Sequence, residues 1–208
     1  MKRREFFDRH ARHWEETKPR DMAVRLARVV AEANLKCGHR VLDVGTGTGV
    51  LIPHILQAVG QAQRIVALDI SAEMLAVART KGFPPNVYLV QADVHAMPLA
   101  GNSFERVICN AALPHFVDRQ KALAEMMRVL CPAGVLVISH PIGREAVNAL
   151  HRDAGEAVAE DRVPHAGEMR RLLEHAGFVE IRVVDEPEFY LAAGRKPSVP
   201  PREKRCGG

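Results

Sequence analysis

Runs of four or five mostly apolar residues recur along the chain, and between them apolar positions return every three or four residues. Val41-Leu42-Asp43-Val44, Ile65-Val66-Ala67-Leu68, Val87-Tyr88-Leu89-Val90, Arg106-Val107-Ile108-Cys109 and Val135-Leu136-Val137-Ile138 predict five short strands. A helix is predicted from about Asp21, an N-cap residue type, with Met22, Leu26, Val29, Val30 and Ala33 on one face and Gly38 as its stop signal. Ile52, Ile55, Leu56 and Val59 mark a second helix, whose Pro53 falls in the first turn where a missing N–H is tolerated. Ser71 caps a third, bearing Met74, Leu75 and Ala78, and Leu123, Met126, Met127 and Leu130 mark a fourth before Pro132-Ala133-Gly134 turns the chain. Strand and amphipathic helix in alternation read as repeated βαβ units, hence a mostly parallel, doubly wound α/β sheet.

After Ser139 the rhythm breaks. Residues 141–163 are polar and mixed, and predict helix plus loop. Met169, Leu172 and Leu173 mark a helix ending at Gly177. Phe178 to Val184 and Phe189 to Ala192, parted by Pro187, predict an antiparallel hairpin at the sheet edge and bring the count to seven strands. Near the start, from Glu5 to about Lys18, charge is mixed with Phe6, Phe7 and Trp14, and Phe7 and Trp14 fall on one helical face. One domain over residues 1–196 is expected, with a tail at 197–208 too rich in Pro, Gly and charge to order.

Composition narrows the class. The 208 residues suffice for one cored domain, and 47% hydrophobic with 26% charged is globular usage. Aromatics are only 5%, so aliphatic side chains must build the core. The net charge of +4 is small, and part of it sits in Lys2-Arg3-Arg4 and in Arg202, Lys204 and Arg205, which reads as solvated terminal charge rather than a nucleic-acid surface. Cys37, Cys109, Cys131 and Cys206 form no Cys-x-x-Cys pair, so buried free thiols in a reducing compartment are expected. No apolar run approaches a membrane span, and MKRREFFDRHARHWEE lacks the apolar region of a signal peptide, so a cytoplasmic location is expected.

The candidate chemistry starts in VLDVGTGTGVL, residues 41–51. Gly45, Gly47 and Gly49 stand between a strand and a helix, where the chain must turn tightly and admit a ligand to its backbone. A dinucleotide fingerprint would place glycine at position 50, which is Val50, and a phosphate-binding loop would end in Gly-Lys-Ser/Thr, which is absent. Asp69 ends the second strand, 20 residues past Gly49, where a carboxylate can accept from both hydroxyls of a ribose. Asp93 follows the third strand, and with Asp43 the three acids should face the crevice beyond the carboxyl edge of the sheet. Such a site suits a cationic ligand without phosphate.

VLDVGTGTG followed by ALDIS, QADVHAMPL, the stretch Asn110–Phe116 and CPAGVLVIS resembles the class I S-adenosylmethionine-dependent methyltransferases, in particular the small-molecule group that includes the ubiquinone and menaquinone biosynthesis enzymes. The resemblance covers about residues 40–140, more loosely 165–192, and is specific for cofactor rather than acceptor. It implies a Rossmann-like fold and S-adenosyl-L-methionine as cofactor. It would place Gly45, Thr46, Gly47 and Gly49 against the methionine part and ribose, and Asp43 toward the amino group through water. Asp69 would take the ribose hydroxyls, with Ile70 and Met74 near the adenine. Asp93 would accept from the adenine amine, Val94 would cover the ring, and Asn110 would face the reacting methyl. The resemblance also implies that residues 1–20 fold over the mouth of the site as a lid carrying Phe7 and Trp14.

Methyl transfer from a sulfonium is in-line displacement, governed mainly by alignment, and a base is needed only where the acceptor arrives protonated. Histidine is the residue type for that base. His115, after the fourth strand, and His140, after the fifth, are the catalytic candidates, while Arg144 and His151 are candidate walls of the acceptor pocket. His95 is expected to face solvent. A metal held by His115, His140 and His151 is the less favoured reading, and no metal site is expected. The acceptor is expected to be a small molecule. Nucleic acid is disfavoured because strand four is followed by Cys109-Asn110-Ala111-Ala112-Leu113, not an Asn/Asp-Pro-Pro-aromatic motif, and no basic domain is added. A non-catalytic binding or regulatory protein of the same fold, or a nucleic-acid or protein methyltransferase, remains the alternative, and the oligomeric state is open, a homodimer included.

Overall fold

The computed structural model describes residues 2–16, 19–61 and 63–198. Of the tail, residues 199–208, with Cys206, lie outside them. Seven strands form one sheet in the order β3-β2-β1-β4-β5-β7-β6. They are β1 (Val41–Val44), β2 (Ile65–Asp69), β3 (Val87–Gln91), β4 (Phe104–Asn110), β5 (Leu130–His140), β6 (Val179–Glu186) and β7 (Phe189–Arg195). The first five pair in parallel, while β7 runs antiparallel between β5 and β6. The strand order reverses between β2-β1 and β1-β4, which opens a crevice at the carboxyl end of β1.

The helices are α1 (Lys2–His10), α2 (Met22–Glu32), α3 (Ile52–Val59), α4 (Ala72–Thr80), α5 (Arg119–Val129), α6 (Arg144–Asp153) and α7 (Ala166–His175). Alternation along each strand sorts the core into two layers. Val41, Ile65, Ala67, Ile108 and Val137 pack against Leu26, Val29 and Val30 of α2 and Ile52, Ile55, Leu56 and Val59 of α3. Leu42, Val44, Val66, Leu68, Val107 and Leu136 pack against Leu123 and Met126 of α5 and Met169 and Leu173 of α7. With both faces covered, β1 and β2 are buried at every position, which explains their largely apolar reading around Asp43 and Asp69.

Several local expectations are corrected. Asp21 gives its side chain to Arg25 Nε (2.7 Å) rather than capping α2, and α2 stops at Glu32, where Asn34 takes φ +47, four residues before Gly38. Leu130 opens β5 instead of closing α5, pairing with Phe104 before a register shift. Helix α1 gives way to a 3-10 turn at Ala11–His13, yet Phe7 and Trp14 still meet, with ring centroids 5.7 Å apart. Among the described cysteines only Cys109 is fully buried, Cys37 being exposed, because Cys37 lies in the polar loop after α2 while Cys109 points into the core from β4.

The hairpin is wedged tightly against the start of α6. A Cβ at Gly143 would lie 1.9 Å from the Pro187 carbonyl oxygen, backbone that cannot step aside cheaply. Gly143→Ala is therefore expected to cost about 2–3 kcal/mol, read from urea denaturation midpoints. An unchanged midpoint would show that the hairpin turn is free to move.

Candidate active site

The glycine loop begins where β1 ends. Gly45 and Thr46 donate their N–H groups to the Leu68 carbonyl (2.8 and 3.0 Å), which folds the loop back across β2. Gly45, Gly47 and Gly49 have φ of +69, +56 and +77, as a tight strand-to-helix turn requires. A Cβ at Gly45 would lie 2.4 Å from that of Ala112, so the loop after β4 closes directly onto this glycine. A Cβ at Gly47 would meet nothing within 4 Å.

Above the loop lies a cavity of about 570 Å³, within the ~300–1,000 Å³ range of small-molecule sites. Gly45, Thr46, Gly47, Asp69, Ile70, Met74, Asp93, Val94, Asn110 and His115 all border it, as do Phe7 and Trp14 from the N-terminal segment. Gly49 does not; it packs under the loop against Ile52 and Phe83. Asp43 does not either. It sits inside β1 rather than at its end, 1% exposed, and accepts the Thr46 hydroxyl (2.7 Å) from beneath the floor.

Asp69 crosses from β2 toward the loop. One carboxylate oxygen accepts Gly47 N–H (2.8 Å) and the other Ser71 N–H (2.9 Å), leaving a further lone pair on each for a ligand. Burial pushes its carboxyl upward, the N–H groups of Ser71, Gly47 and Ile70 pull it down, and Asp8 adds to the rise. Asp43 is raised to about 7, first by burial, with Thr46 opposing and the charge of Asp69 adding. The two acids thus destabilise one another's charge, an arrangement that a cation nearby would relieve. Asp93 stands two residues beyond β3 and accepts both the N–H of His95 (2.9 Å) and its ring Nδ1 (2.5 Å) on one oxygen. His95 is accordingly drawn down onto the cavity wall, with its side chain 16% exposed, rather than facing solvent.

The sign of the Asp43 shift gives a stability prediction. Because its folded value of about 7 exceeds the unfolded 3.8, the contribution of Asp43 to stability is fullest below about pH 4 and falls as pH rises toward 7, by up to about 1.4 kcal/mol per unit. Asp43→Asn should lose this falling contribution, so urea melts at pH 5 and 8 should give it a less negative slope than the wild type. Equal slopes in the two proteins would remove the assignment of a buried, strained charge at position 43.

The loop 110–118 forms the opposite wall. Asn110 accepts from Ser139 Oγ (3.0 Å) through Oδ1, and Ala111, at φ +54, turns the chain while donating to the Ser139 carbonyl (2.7 Å). His115 lies in the 3-10 turn Leu113–His115, its Nδ1 2.7 Å from Asp161 Oδ2. Asp161 is 2% exposed and also receives Arg3 of α1 (2.6 Å). His151 stacks on His115, with ring centroids 4.7 Å apart, and its Nδ1 meets the Asp161 carbonyl oxygen (2.8 Å), but it does not border the cavity. Asp161 was not singled out in the sequence because it belongs to the irregular 141–163 stretch, where neither periodicity nor a motif marks it.

Two candidates are displaced. His140 is 1% exposed, does not border the cavity, and packs against Tyr190 with Nε2 unpartnered. Burial first, then the charges of His115 and His151, lowers it to about 3, so it stays neutral. Its strand ends under the α6 segment rather than in the crevice. Arg144 is held away by Asp185 of β6 (2.8 Å) and Glu145 (2.7 Å). Among the described residues no group of three or more His, Cys, Asp or Glu is arranged to hold a metal ion.

The N-terminal segment is pinned across the mouth. Ser71 Oγ donates to Asp8 (2.5 Å), Lys81 pairs with Glu15 (2.7 Å), and the Phe7 ring meets His115 edge-on at 4.9 Å.

The family described as methyltransferase domain matches residues 42–138, the span from β1 to β5. The Ubiquinone/menaquinone biosynthesis C-methyltransferase UbiE of Haemophilus ducreyi is 31% identical over 188 residues, 78% of this chain and 71% of that protein. The chain belongs to the class I S-adenosylmethionine-dependent methyltransferases. Its Hahella chejuensis relative of the same name is 34% identical over 146 residues but only 59% of that protein is covered, and in other such relatives the chain spans about half the length. Among solved structures, an S-adenosylmethionine-dependent methyltransferase from Aquifex aeolicus superposes with a TM-score of 0.74 at 26% identity, covering 91% of this chain and 98% of that one. A Thermotoga maritima S-adenosylmethionine-dependent methyltransferase, described as a possible histamine N-methyltransferase, shares the fold at TM-score 0.76 and 19% identity over 93% and 99% of the two chains.

The cofactor of this methyltransferase family is S-adenosylmethionine, and the residues present fit it. Asp69 has acceptor capacity to spare, Gly47 leaves room where a ligand must meet backbone, and the buried hydroxyl of Thr48, on the cavity wall, has no hydrogen-bond partner among the described residues. The acids at positions 43 and 69 favour a sulfonium and an ammonium over a pyrophosphate.

Proposed function

We propose that the chain binds S-adenosylmethionine in the 570 Å³ cavity and transfers its methyl group to a small, largely apolar acceptor. The observation that carries this reading is the meeting of Asp69 and Asp93 with the Gly45–Gly47 backbone on one cavity that has neither the lysine nor the third glycine of phosphate-cradling loops. Bound there, the cofactor supplies a methyl carbon made electrophilic by its sulfonium.

The residues then divide the work. Asp69 takes the ribose, Ile70, Met74 and Val94 the adenine, and Asp93 its exocyclic amine. Asp43, through Thr46, holds the charge that balances the ammonium. Asn110, with Oδ1 fixed by Ser139, keeps its amide nitrogen for the reacting end. Phe7, Trp14 and Phe116 offer the acceptor an apolar wall, and the N-terminal segment serves as a lid that excludes water. For an acceptor that arrives protonated, His115 Nε2 takes the proton as the acceptor's electron pair bonds the methyl, and the methyl–sulfur pair stays on sulfur. His140 has no place in this step. Neutral, buried and off the cavity, it packs against Tyr190 of β7 inside the sheet.

A cytoplasmic location belongs to the same proposal. Among the described residues no helix is long and apolar enough to cross a membrane. The test is release of S-adenosylhomocysteine from S-adenosylmethionine across a panel of phenols, enols, thiols and amines. Turnover by the wild type and its loss in Asp69→Ala would support the enzyme. Tight cofactor binding with no turnover across the panel would favour a non-catalytic binding protein.

A further inference from the structure

The cluster behind His115 is more elaborate than a surface histidine needs. Asp161 is almost wholly buried, and each of its oxygens is taken by a different element. Oδ2 faces Nδ1 of His115, on the loop after β4, at 2.7 Å. Oδ1 takes Arg3, from α1, at 2.6 Å, with Arg3 Nε bridging both oxygens at 3.1 and 3.2 Å. The backbone at Asp161 is fixed in turn by His151 of α6 through the carbonyl oxygen. Three segments far apart in sequence, residues 3, 115 and 161, thus converge on one carboxylate.

An ionised carboxylate only accepts, so the His115 nitrogen facing it must carry the proton. In the neutral ring that leaves Nε2 with its lone pair, on a side chain that borders the cavity and whose hydrogen-bond partner among the described residues is Asp161, through Nδ1. We propose that Asp161 is a positioning residue that fixes the tautomer of His115, and that Arg3 of the N-terminal segment orients Asp161, so that lid and base form one unit. The proposal rests on the methyltransferase reading of the cavity but concerns groups remote from the cofactor acids. Phe7 adds to the coupling, since the helix that brings Arg3 to Asp161 also lays this ring against His115. The groups facing His115 are Asp161, Arg3, His151 and, more distantly, His140, whose shift registers the charge of His115.

The geometry makes a substitution pattern diagnostic. In Asp161→Asn the side chain keeps one accepting oxygen and gains a donating NH2. Arg3 can only donate and claims the oxygen, so the NH2 turns to His115 and drives its proton to Nε2. Removing Arg3 as well frees the amide to rotate and offer its oxygen to Nδ1. Long-range nitrogen–proton spectra of the full chain, recorded above the imidazole titration with S-adenosylmethionine present, read the tautomer directly.

The expected results are Nδ1–H in the wild type, Nε2–H in Asp161→Asn, and Nδ1–H again in Asp161→Asn with Arg3→Met. Calorimetric affinity for S-adenosylmethionine should stay within about twofold in Asp161→Asn, because Asp161 does not border the cavity and belongs to none of the proposed cofactor contacts. Nε2–H in the wild type, no change in Asp161→Asn, or no return in the double variant would overturn the proposal. Should Asp161→Asn not fold, Arg3→Met decides: the tautomer is kept while amide protection in α1 falls, and unchanged protection overturns the coupling. Absent cofactor binding in the wild type would instead overturn the methyltransferase reading and leave the tautomer result standing.

Discussion

Asp69→Ala is expected to weaken S-adenosylmethionine binding by about 100-fold or more while leaving the chain folded. The carboxylate would accept from both ribose hydroxyls, and hydrogen bonds to a charged group are worth about 1.5–3 kcal/mol each. It also ties Gly47 N–H and Ser71 N–H across the loop, so its loss loosens the backbone that meets the ligand. Removing a buried charge whose carboxyl is already raised offsets part of the stability cost in the free protein. The expected signature is therefore selective: a large fall in calorimetric affinity with a thermal midpoint near that of the wild type. Unchanged affinity would remove the ribose assignment.

Gly45→Ala should be nearly as damaging, by a different route. At φ +69 an L side chain costs about 1–2 kcal/mol. Its Cβ would also lie 2.4 Å from that of Ala112, which adds overpacking of about 1–3 kcal/mol. The loop and the 110–116 wall must separate, so stability and cofactor binding fall together. Gly47→Ala is the control. With no atom within 4 Å of the added Cβ, it pays only the backbone cost in stability, yet its methyl stands where the ligand meets the chain, so affinity falls with little unfolding. Urea melts and calorimetry on the pair separate the two effects. Equal stability losses would contradict the close contact at Gly45.

The pattern of loss and retention explains how legible the protein was in its sequence. The sheet could be read because β1 and β2 are buried on both faces and so appear as largely apolar runs, Asp43 and Asp69 apart. The hairpin was visible through Pro187 between two apolar stretches. Helix ends were not, because they depend on local choices: α2 stops before a left-handed Asn34, ahead of Gly38, and Asp21 binds Arg25 instead of capping. The acids at 69 and 93 and the glycine loop were legible since strand ends fix them along one rim. Asp43 was read as facing the crevice from a strand end, yet it lies inside β1, for chain order does not say that Thr46 seals it beneath the floor.

The acceptor side was harder. His115 and His140 end adjacent strands and look equivalent in sequence, yet the extra turn at Ala111 and the 3-10 segment carry His115 to the cavity while β5 ends with His140 buried against Tyr190. Asp161 gave no local signal at all. Its meaning arises only from tertiary packing, in which residues 3 and 115 reach the same carboxylate.

The account turns on where the cofactor sits, and a crystal structure with S-adenosylhomocysteine bound measures that directly. The predicted result is a single ligand with its ribose hydroxyls on Asp69, its adenine between Ile70 and Val94 beside Asp93, and its sulfur turned to Asn110 and His115. A ligand bound outside this cavity, or lying in it with Asp69 uncontacted, would contradict the account.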